Sequence, residues 1–263
     1  MRIATWNVGG LRAAVRKGFL SDVRRVRPDV LLLQEVRALP EQLPPNIAAP
    51  STWKVAWHPA QKLGYAGTGV WSRQRFAEVR RGYGPDDVDG RVLDVVIDGI
   101  RVVCVYLPSG SASPASQARK DAFCASFLPW AASLASSSQP VVIGGDLNVA
   151  PTAMDIHDPK ANAKNSGFLP HERAWFGDLL ATGLVDLVRP HIGPGPGPYS
   201  WWSNRGRARV EDRGWRIDHL LGNAAAAERV LRGGIDRAAA LTTSDHAPVW
   251  IDLADPPQRP RDV

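Results

Sequence analysis

The chain has 263 residues, of which 44% are hydrophobic and 22% are charged, and this composition is typical of a globular protein with one sizeable core. It excludes a disordered chain, a collagen and a coiled coil. The 32 Lys and Arg residues exceed the 26 Asp and Glu residues by six. A charge of +6 permits a polyanionic partner but does not require one, because solvated surface arginines would give the same balance.

Cysteine usage and hydropathy indicate the cellular compartment of the protein. The two cysteines, Cys104 and Cys124, lie in apolar segments without Cys/His spacing, which excludes a disulfide scaffold and a thiolate zinc site. The first residues lack the features of a signal peptide, and we find no window that is long and charge-free enough to span a bilayer. We therefore expect a soluble, cytoplasmic protein.

Short β-branched runs alternate with helical patterns, and Gly, Pro, Asn and Asp separate them, which predicts an α/β fold. Nine strands are predicted, and that number implies more than one sheet. The predicted strands are 2–6, 30–33, 53–57, 69–72, 92–97, 101–107, 141–144, 217–221 and 249–253.

Three segments have the periodicity of surface helices. The first repeats an apolar residue at every fourth position between the first two strands, which predicts one helix. The second contains Pro129, which we expect to kink or split the helix. The third opens after Pro170 and stops at Gly183. The apolar positions are Leu11, Val15, Phe19 and Val23 in the first, Phe123, Phe127, Trp130 and Leu134 in the second, and Phe176, Leu179 and Leu180 in the third.

The chain has no fixed-period repeat and no internal linker. The alternating Gly and Pro residues at 193–198 predict a surface loop, and the prolines and opposite charges of 254–263 predict a flexible C-terminal tail. We therefore expect a single domain over residues 1–253.

Several polar residues stand where a predicted strand ends, and ligands gather at such places because loops converge there on a rigid sheet. Each Asn or Asp alone could be an ordinary turn residue. Together, however, they supply the hard oxygen ligands that Mg²⁺ or Mn²⁺ prefers and the polar groups that phosphoryl chemistry needs. The residues are Asn7, Glu35, Tyr106, Asp146, Asn148, Asp218, Asp245 and His246.

Nine strings of the sequence resemble, in the same order, the exonuclease III family of abasic-site endonucleases, and together they span nearly the whole chain. One such string is weak evidence, but nine in sequence are specific. The strings are TWNVGGLRAA from Thr5, LLLQEVR from Leu31, GYAGTGVWSR from Gly64, VYLPSG from Val105, GGDLNVAPTAMDIHDPK from Gly144, SGFLPHERAWF from Ser166, YSWWSNRGRAR from Tyr199, GWRIDHLL from Gly214 and SDHAPVW from Ser244.

The resemblance implies a four-layer α/β sandwich, in which two mixed sheets pack face to face between helices, with one metal-dependent phosphodiesterase site at an edge. By position, Glu35 resembles the principal metal ligand, with Asn7 and Asp245 near it. Asp146 resembles the residue that orients or deprotonates the attacking water. The remaining matches are Asn148 and Tyr106 for the scissile phosphate, and His246, oriented by Asp218, for a phosphate oxygen.

These roles are also chemically reasonable without the family. Hydrolysis of an anionic phosphodiester needs charge neutralised on the phosphoryl oxygens, a water placed in line and a stabilised leaving alkoxide. A carboxylate beside His246 favours the charged imidazolium, which suits a phosphate-binding histidine. The alternative for His246 is a satisfied core histidine.

The family places an apolar pocket for the extrahelical abasic sugar at positions that match Trp201, Trp202, Trp215 and Ile217. Some of the ten tryptophans must be ordinary core, and we assign Trp202 and Trp250 to it. Arg205, Arg207 and Arg209 alternate, so an extended segment would present them on one side to a phosphate backbone. Arg37 is a further candidate for phosphate contact.

Two positions depart from the family pattern. Ser109 stands where several relatives carry Asn, which puts one phosphate contact in doubt. Gly9 stands where some relatives carry an Asp near the metal, which suggests looser or single-site metal binding.

We therefore expect a monomeric, Mg²⁺-dependent DNA repair nuclease, with Mn²⁺ as a substitute, that acts on nucleoid DNA. It would incise double-stranded DNA 5′ of abasic sites and trim 3′ ends as an exonuclease or phosphodiesterase. One alternative is a sphingomyelinase-like or inositol-phosphatase-like phosphodiesterase with the same catalytic frame. The other is a DNA-binding relative that has lost catalysis.

Overall fold

The computed structural model describes residues 1–84, 87–240 and 242–254, and within them the chain forms fourteen strands and seven α-helices. The strands are β1 Arg2–Asn7, β2 Val30–Gln34, β3 Lys54–His58, β4 Thr68–Ser72, β5 Phe76–Arg81, β6 Val92–Ile97, β7 Ile100–Tyr106, β8 Val141–Asp146, β9 Val185–Asp186, β10 Trp201–Trp202, β11 Gly214–Trp215, β12 Asp218–Gly222, β13 Val230–Ile235 and β14 Val249–Leu253. The helices are α1 Leu11–Lys17, α2 Phe19–Val26, α3 Pro45–Ala48, α4 Pro114–Ala135, α5 Pro170–Ala181, α6 Ala224–Ala227 and α7 Arg237–Ala240.

Two six-stranded mixed sheets form the centre of the fold. The first has the strand order β13-β14-β1-β2-β4-β3 and the second the order β5-β6-β7-β8-β12-β9. Each sheet has one parallel pair at its centre, β1 with β2 and β7 with β8. A short ribbon of β10 and β11 lies apart from both sheets.

Side chains that alternate along each strand divide the core into layers. One face of each sheet contributes to a shared cluster, which includes Leu32, Val70 and Val102. The opposite face of the first sheet packs under α1 and α2, with Phe19 and Trp71 fully buried. The opposite face of the second sheet packs under α4 and α5 in the same way. The order helix, sheet, sheet, helix confirms the predicted four-layer α/β sandwich.

The first predicted helix is wrong as a single helix. Gly18 adopts φ +114°, ends α1 and begins α2. Phe19 and Val23 are buried on α2, whereas Val15 on α1 is only half-buried. A regular four-residue spacing therefore hid a break, because glycine reaches the left-handed conformation without steric cost.

Of the two outcomes predicted for Pro129, a split is wrong, because α4 continues through it from Pro114 to Ala135, and a kink stays a prediction. Pro129 lies on the exposed side of α4, as does Ala125, whose carbonyl loses the N–H that proline lacks. Water can bond that carbonyl, so the helix continues. The third predicted helix is confirmed as α5, and Gly183 follows it with φ +105°.

The nine predicted strands correspond to β1 to β4, β6 to β8, β12 and β14. The tail predicted at 254–263 lies outside the described residues from position 255 onward. No helix in the described part of the chain has the length and apolarity needed to cross a membrane.

Candidate active site

The ends of the two central parallel pairs bring the predicted polar residues to one edge of the sandwich. Asn7 ends β1 opposite Gln34, so Glu35 follows β2 at the same level. In the second sheet, Asp146 is in register with Tyr106 on one side and with Asp218 on the other. Glu35, Tyr106 and Asp146 form the floor of a cavity of about 990 Å³, and Asn7 and Asp218 are fully buried beside them.

Asn7 joins the two sheets within this site. Its side-chain Nδ2 donates to Oε1 of Glu35 at 3.1 Å and to Oδ2 of Asp146 at 2.9 Å, and its Oδ1 accepts from the backbone N–H of Gly9. The Tyr106 hydroxyl also donates to Glu35 Oε1, at 2.6 Å, and Arg37 pairs with the other oxygen of Glu35. Glu35 and Asp146 are therefore held next to each other by a shared amide.

His246 and Asp218 form a buried pair beside Asp146. The His246 Nδ1 lies 2.9 Å from Asp218 Oδ2, and its Nε2 lies 3.9 Å from Asp146 Oδ2. The Ser200 hydroxyl donates to the same Asp218 oxygen and accepts from the backbone N–H groups of Ile217 and Asp218. This arrangement leaves Nε2 as the free end of the imidazole, facing Asp146.

Sequence reasoning did not identify Ser200 as part of the site. It is fully buried and positions Asp218, yet its only signal was its place in the string that begins at Tyr199. A serine next to two tryptophans carries no chemical signature, so the role depends on the packing of distant segments.

Burial and charge change the acid–base properties of the cluster. Burial raises the pKa of Asp146 to about 7, and the nearby Asp218 charge adds to this effect. Burial alone would lower the pKa of His246, but the charge and hydrogen bond of Asp218 overcome it and raise the value to about 10. Burial, followed by the charge of Glu35, holds the pKa of Tyr106 well above its usual value. At neutral pH the site thus contains an imidazolium next to a carboxyl group whose pKa is raised well above its ordinary value.

Asn148 and Asp245 occupy the walls of the cavity. Asn148 adopts φ +51°, donates its backbone N–H to Asp146 Oδ1 at 2.9 Å and donates its side-chain Nδ2 to the carbonyl of Leu107. Asp245 Oδ2 accepts from the indole of Trp201 and the amide of Asn204, each at 3.3 Å. Burial would raise the pKa of Asp245, but the His246 charge helps to lower it below the ordinary value.

An apolar wall stands over these polar groups. Trp201 and Trp215 pair across β10 and β11, with ring centroids 5.9 Å apart at 86°. Ile217 is buried beside them, and all three line the cavity. Of the two tryptophans that we assigned to the core, Trp202 is buried and Trp250 is half-buried.

Most of the predicted basic and polar contacts line the same cavity, but Arg207 does not. Arg37, Ser109 and Arg205 belong to its lining, with Ser109 Oγ 2.9 Å from Ser111 Oγ. The segment after Asn204 forms turns rather than an extended strand, and the exposed Arg207 pairs with Glu211. The condition for the arginines to share one side, an extended segment, is therefore not met, and their contact with a phosphate backbone stays a prediction.

The site can bind a metal ion. Ligand atoms of Asp146, Asp218 and His246 lie within 4.8 Å of one another, and Asp218 Oδ1 is buried without a hydrogen bond from any described residue. An ion that took His246 Nδ1 or Asp218 Oδ2 would disrupt the hydrogen bond between these two atoms. Glu35 and Asp146 are linked to each other only through the amide of Asn7. Their oxygen atoms are hard ligands that could bind an ion while the hydrogen bond between His246 and Asp218 stays intact.

A four-layer sandwich with carboxylates, an imidazolium and a phenol at one edge defines a hydrolase for phosphate esters. The chain belongs to the Endonuclease/Exonuclease/phosphatase family, which it matches over residues 4–246. It is 36% identical over 255 residues to an exodeoxyribonuclease of Bacillus subtilis (strain 168), covering 95% of this chain and 98% of the relative. It is 33% identical to the DNA repair nuclease APEX1 of Danio rerio, covering 97% and 82% of the two chains.

A solved structure agrees with these sequence relatives. The 3′ phosphatase NExo from Neisseria, bound to product DNA hairpin, superposes with a TM-score of 0.89 at 29% identity, covering 97% of this chain and 99% of that one. These findings confirm the predicted family and class of enzyme, a DNA repair nuclease that acts as a phosphodiesterase.

Proposed function

We propose that the protein incises double-stranded DNA 5′ of abasic sites in a Mg²⁺-dependent reaction. The observation that carries this proposal is a single cavity in which hydrolytic groups lie beneath an apolar wall of Trp201, Trp215 and Ile217. An abasic nucleotide flips out of the duplex at low cost because it has no base to unstack. Its sugar would contact the apolar wall while its 5′ phosphate meets the polar floor.

Asp146 is the group that orients the attacking water and takes its proton. Its pKa of about 7 matches a general base that works near neutral pH. Hydrogen bonds from Asn7 and the Asn148 backbone fix both of its oxygens. These hydrogen bonds hold the Asp146 carboxylate in one orientation relative to the attacking water.

His246, Asn148 and Tyr106 hold the scissile phosphate. The imidazolium of His246 presents Nε2 to the cavity because Asp218 occupies Nδ1. A charged donor of this kind stabilises the negative charge that develops on the phosphoryl oxygens. Tyr106 remains a neutral hydroxyl donor because its pKa is raised.

Glu35 is the principal residue for binding Mg²⁺, with Asn7 and Asp245 near it, and Mn²⁺ would substitute. The fit is supported by the hard donor set and by the half-exposed Arg37, which can leave its pairing with Glu35 at low cost. Bound Mg²⁺ would supply charge neutralisation at the phosphate and at the leaving oxygen. Gly9 adds no carboxylate to this group, which favours one ion.

Arg37, Arg205 and Ser109 contact the DNA backbone around the cavity, and Arg207 adds to the wider positive field. We also propose 3′→5′ exonuclease and 3′-phosphodiesterase activity, because an end without a downstream nucleotide can reach the same floor. Removal of a 3′ phosphate is a second candidate activity, favoured by the similarity to the Neisseria 3′ phosphatase. We propose that the protein acts as a monomer in the bacterial cytoplasm, on nucleoid DNA.

The test uses a duplex with one tetrahydrofuran abasic analogue and a labelled 5′ end. With Mg²⁺ we expect one cut immediately 5′ of the analogue, no cut in the matched undamaged duplex and no product in chelator. A 3′-phosphate duplex in parallel measures the second candidate activity. Turnover of a small phosphoester without cleavage of the abasic duplex would contradict the proposal, and metal-independent binding without incision would favour the inactive relative.

A further inference from the structure

A buried ion pair lies behind the cavity, outside the groups assigned to catalysis. Lys120 on α4 is fully buried, and its Nζ lies 2.5 Å from Oε1 of Glu172, which is 2% exposed on α5. Burying two charges costs free energy that their attraction does not always recover. Such a pair is therefore weak evidence for stability alone, and its other contacts suggest what it does.

The Lys120 ammonium also donates to the backbone carbonyl of Asn148, at 2.8 Å. Asn148 is the residue whose N–H donates to Asp146 Oδ1, and its φ of +51° is an unusual backbone conformation for a residue other than glycine. The Lys120 ammonium thus binds the carbonyl of the same residue whose N–H binds Asp146, the proposed general base.

Glu172 holds a second segment against the same turn. Its Oε2 accepts from the backbone N–H groups of Gly167 and Leu169, at 2.6 and 2.9 Å. Gly167 in turn accepts from the Ala150 N–H at 2.8 Å. A side chain at Gly167 would begin only 3.1 Å from the Asn148 carbonyl. The two segments therefore pack too closely to move independently.

We propose that Lys120, paired with Glu172, is a positioning residue for the hydrolytic step: it holds the Asn148 turn so that the backbone N–H of Asn148 stays on Asp146. This inference rests on the proposed function for the role of Asp146. Its effect should be on turnover rather than on substrate binding, because neither charge belongs to the apolar wall or to the basic rim of the cavity.

The test removes the contact without leaving an unpaired buried charge. The variant Lys120→Met/Glu172→Gln is uncharged at both positions, and the new Gln can still accept from Gly167 and Leu169. We expect kcat on the abasic duplex to fall between about tenfold and a hundredfold, with KM close to wild type. Glu172→Gln alone leaves the buried Lys120 ammonium without its counter-charge but keeps its donor to Asn148, so its kcat should stay above that of the double variant.

Hydrogen exchange of the metal-free protein gives a second readout that needs no activity. The amides of Asn148 and Ala150 should lose protection in the double variant, while the amide of Gly167 and those of β6 and β7 keep theirs. Arg101→Met, which breaks the distant pair with Asp94 between β7 and β6, is the control for lost stability. It should leave kcat and the protection of the Asn148 and Ala150 amides unchanged.

Wild-type kcat and wild-type protection in the double variant would overturn the inference, as would an equal loss of kcat in Arg101→Met at matched stability. If the double variant does not fold, Lys120→Gln, whose neutral side chain is one atom shorter and weakens the contact with Asn148, should show the same two changes at smaller size. If wild-type protein leaves abasic DNA intact, the proposed function fails, while the exchange data and turnover of bis(4-nitrophenyl) phosphate still decide the positioning role.

Discussion

His246 and Asp218 come from segments 28 residues apart, yet Nδ1 of the histidine lies 2.9 Å from Oδ2 of the aspartate, with both residues buried. The Asp218 carboxylate is itself held by Ser200. The pair thus keeps a positive charge in the interior at the point where an anionic substrate would bind.

Asp218→Asn should lower the pKa of His246 from about 10, because burial then acts without the opposing charge. The folded pKa is above the unfolded value, so this ionisation stabilises the fold fully below about pH 6.5 and loses that effect as pH rises through about 10. We expect the variant to lose activity at a lower alkaline pH. Histidine NMR titration and a pH–rate profile measure both effects.

The exposed Asp178→Asn on α5 is the matched control and should leave both curves unchanged. An unaltered His246 titration in Asp218→Asn would mean that other groups, such as Asp146, hold the proton.

Asp146→Asn should reduce turnover of the abasic duplex by about 10²-fold to 10⁴-fold, because an amide cannot accept a proton from water. The fold should persist, since the Asn148 N–H can donate to the amide oxygen. Single-turnover kinetics measure the loss, and duplex binding in chelator tests whether the cavity is intact. Near-normal rates with intact binding would remove Asp146 from its assigned role.

Glu35→Ala should raise the Mg²⁺ concentration needed for half-maximal activity and weaken Mg²⁺ binding in calorimetry, because a hard anionic ligand is lost. Glu41→Ala, an exposed residue in the 3₁₀ helix Pro40–Gln42, is the control. An unchanged metal titration in Glu35→Ala would show that the ion is held elsewhere, for example at the cluster of Asp146, Asp218 and His246.

Arg205→Ala and Arg207→Ala form a matched pair, because Arg205 lines the cavity and Arg207 faces Glu211. Loss of one phosphate contact should lower the slope of log affinity against log salt by about 1. We expect this change for Arg205→Ala and a smaller one for Arg207→Ala. The reverse order in a salt series of duplex binding would mean that the loop rearranges on DNA.

Pro129→Ala should raise the free energy of unfolding by about 1 to 3 kcal/mol, because alanine restores a helical N–H on an exposed face and is the better helix former. Denaturant unfolding measures the change, and nuclease activity should not respond. A lower stability would indicate that the proline ring makes packing contacts that outweigh the missing bond.

The sequence predicted the buried strands well and the exposed ones poorly. Runs such as that of β6 are apolar because both faces are covered, whereas β5 is largely exposed and β13 is only partly buried and contains two glycines. Both β5 and β13 lie at the edge of a sheet. Each pairs with the next strand of the chain, β5 with β6 and β13 with β14, but a solvated edge strand lacks the apolar run by which local composition reveals a buried one.

The sequence likewise predicted some features of the site and not others. Residue types at strand ends were sufficient to predict that Glu35, Asp146 and His246 would meet. The sequence could not show that Asn7 turns its NH₂ group toward two carboxylates, because that depends on how the sheets pack. It also gave no sign that Arg205 and Arg207 would diverge, since turn geometry overrides the alternation of an extended chain.

The bridge made by Asn7 also has a mechanical meaning. One half of the site is attached to the first sheet and the other half to the second, so neither sheet carries a complete set of groups. Activity therefore depends on how the two sheets are aligned across their shared core. A small shift of one sheet against the other would abolish activity before either sheet unfolded.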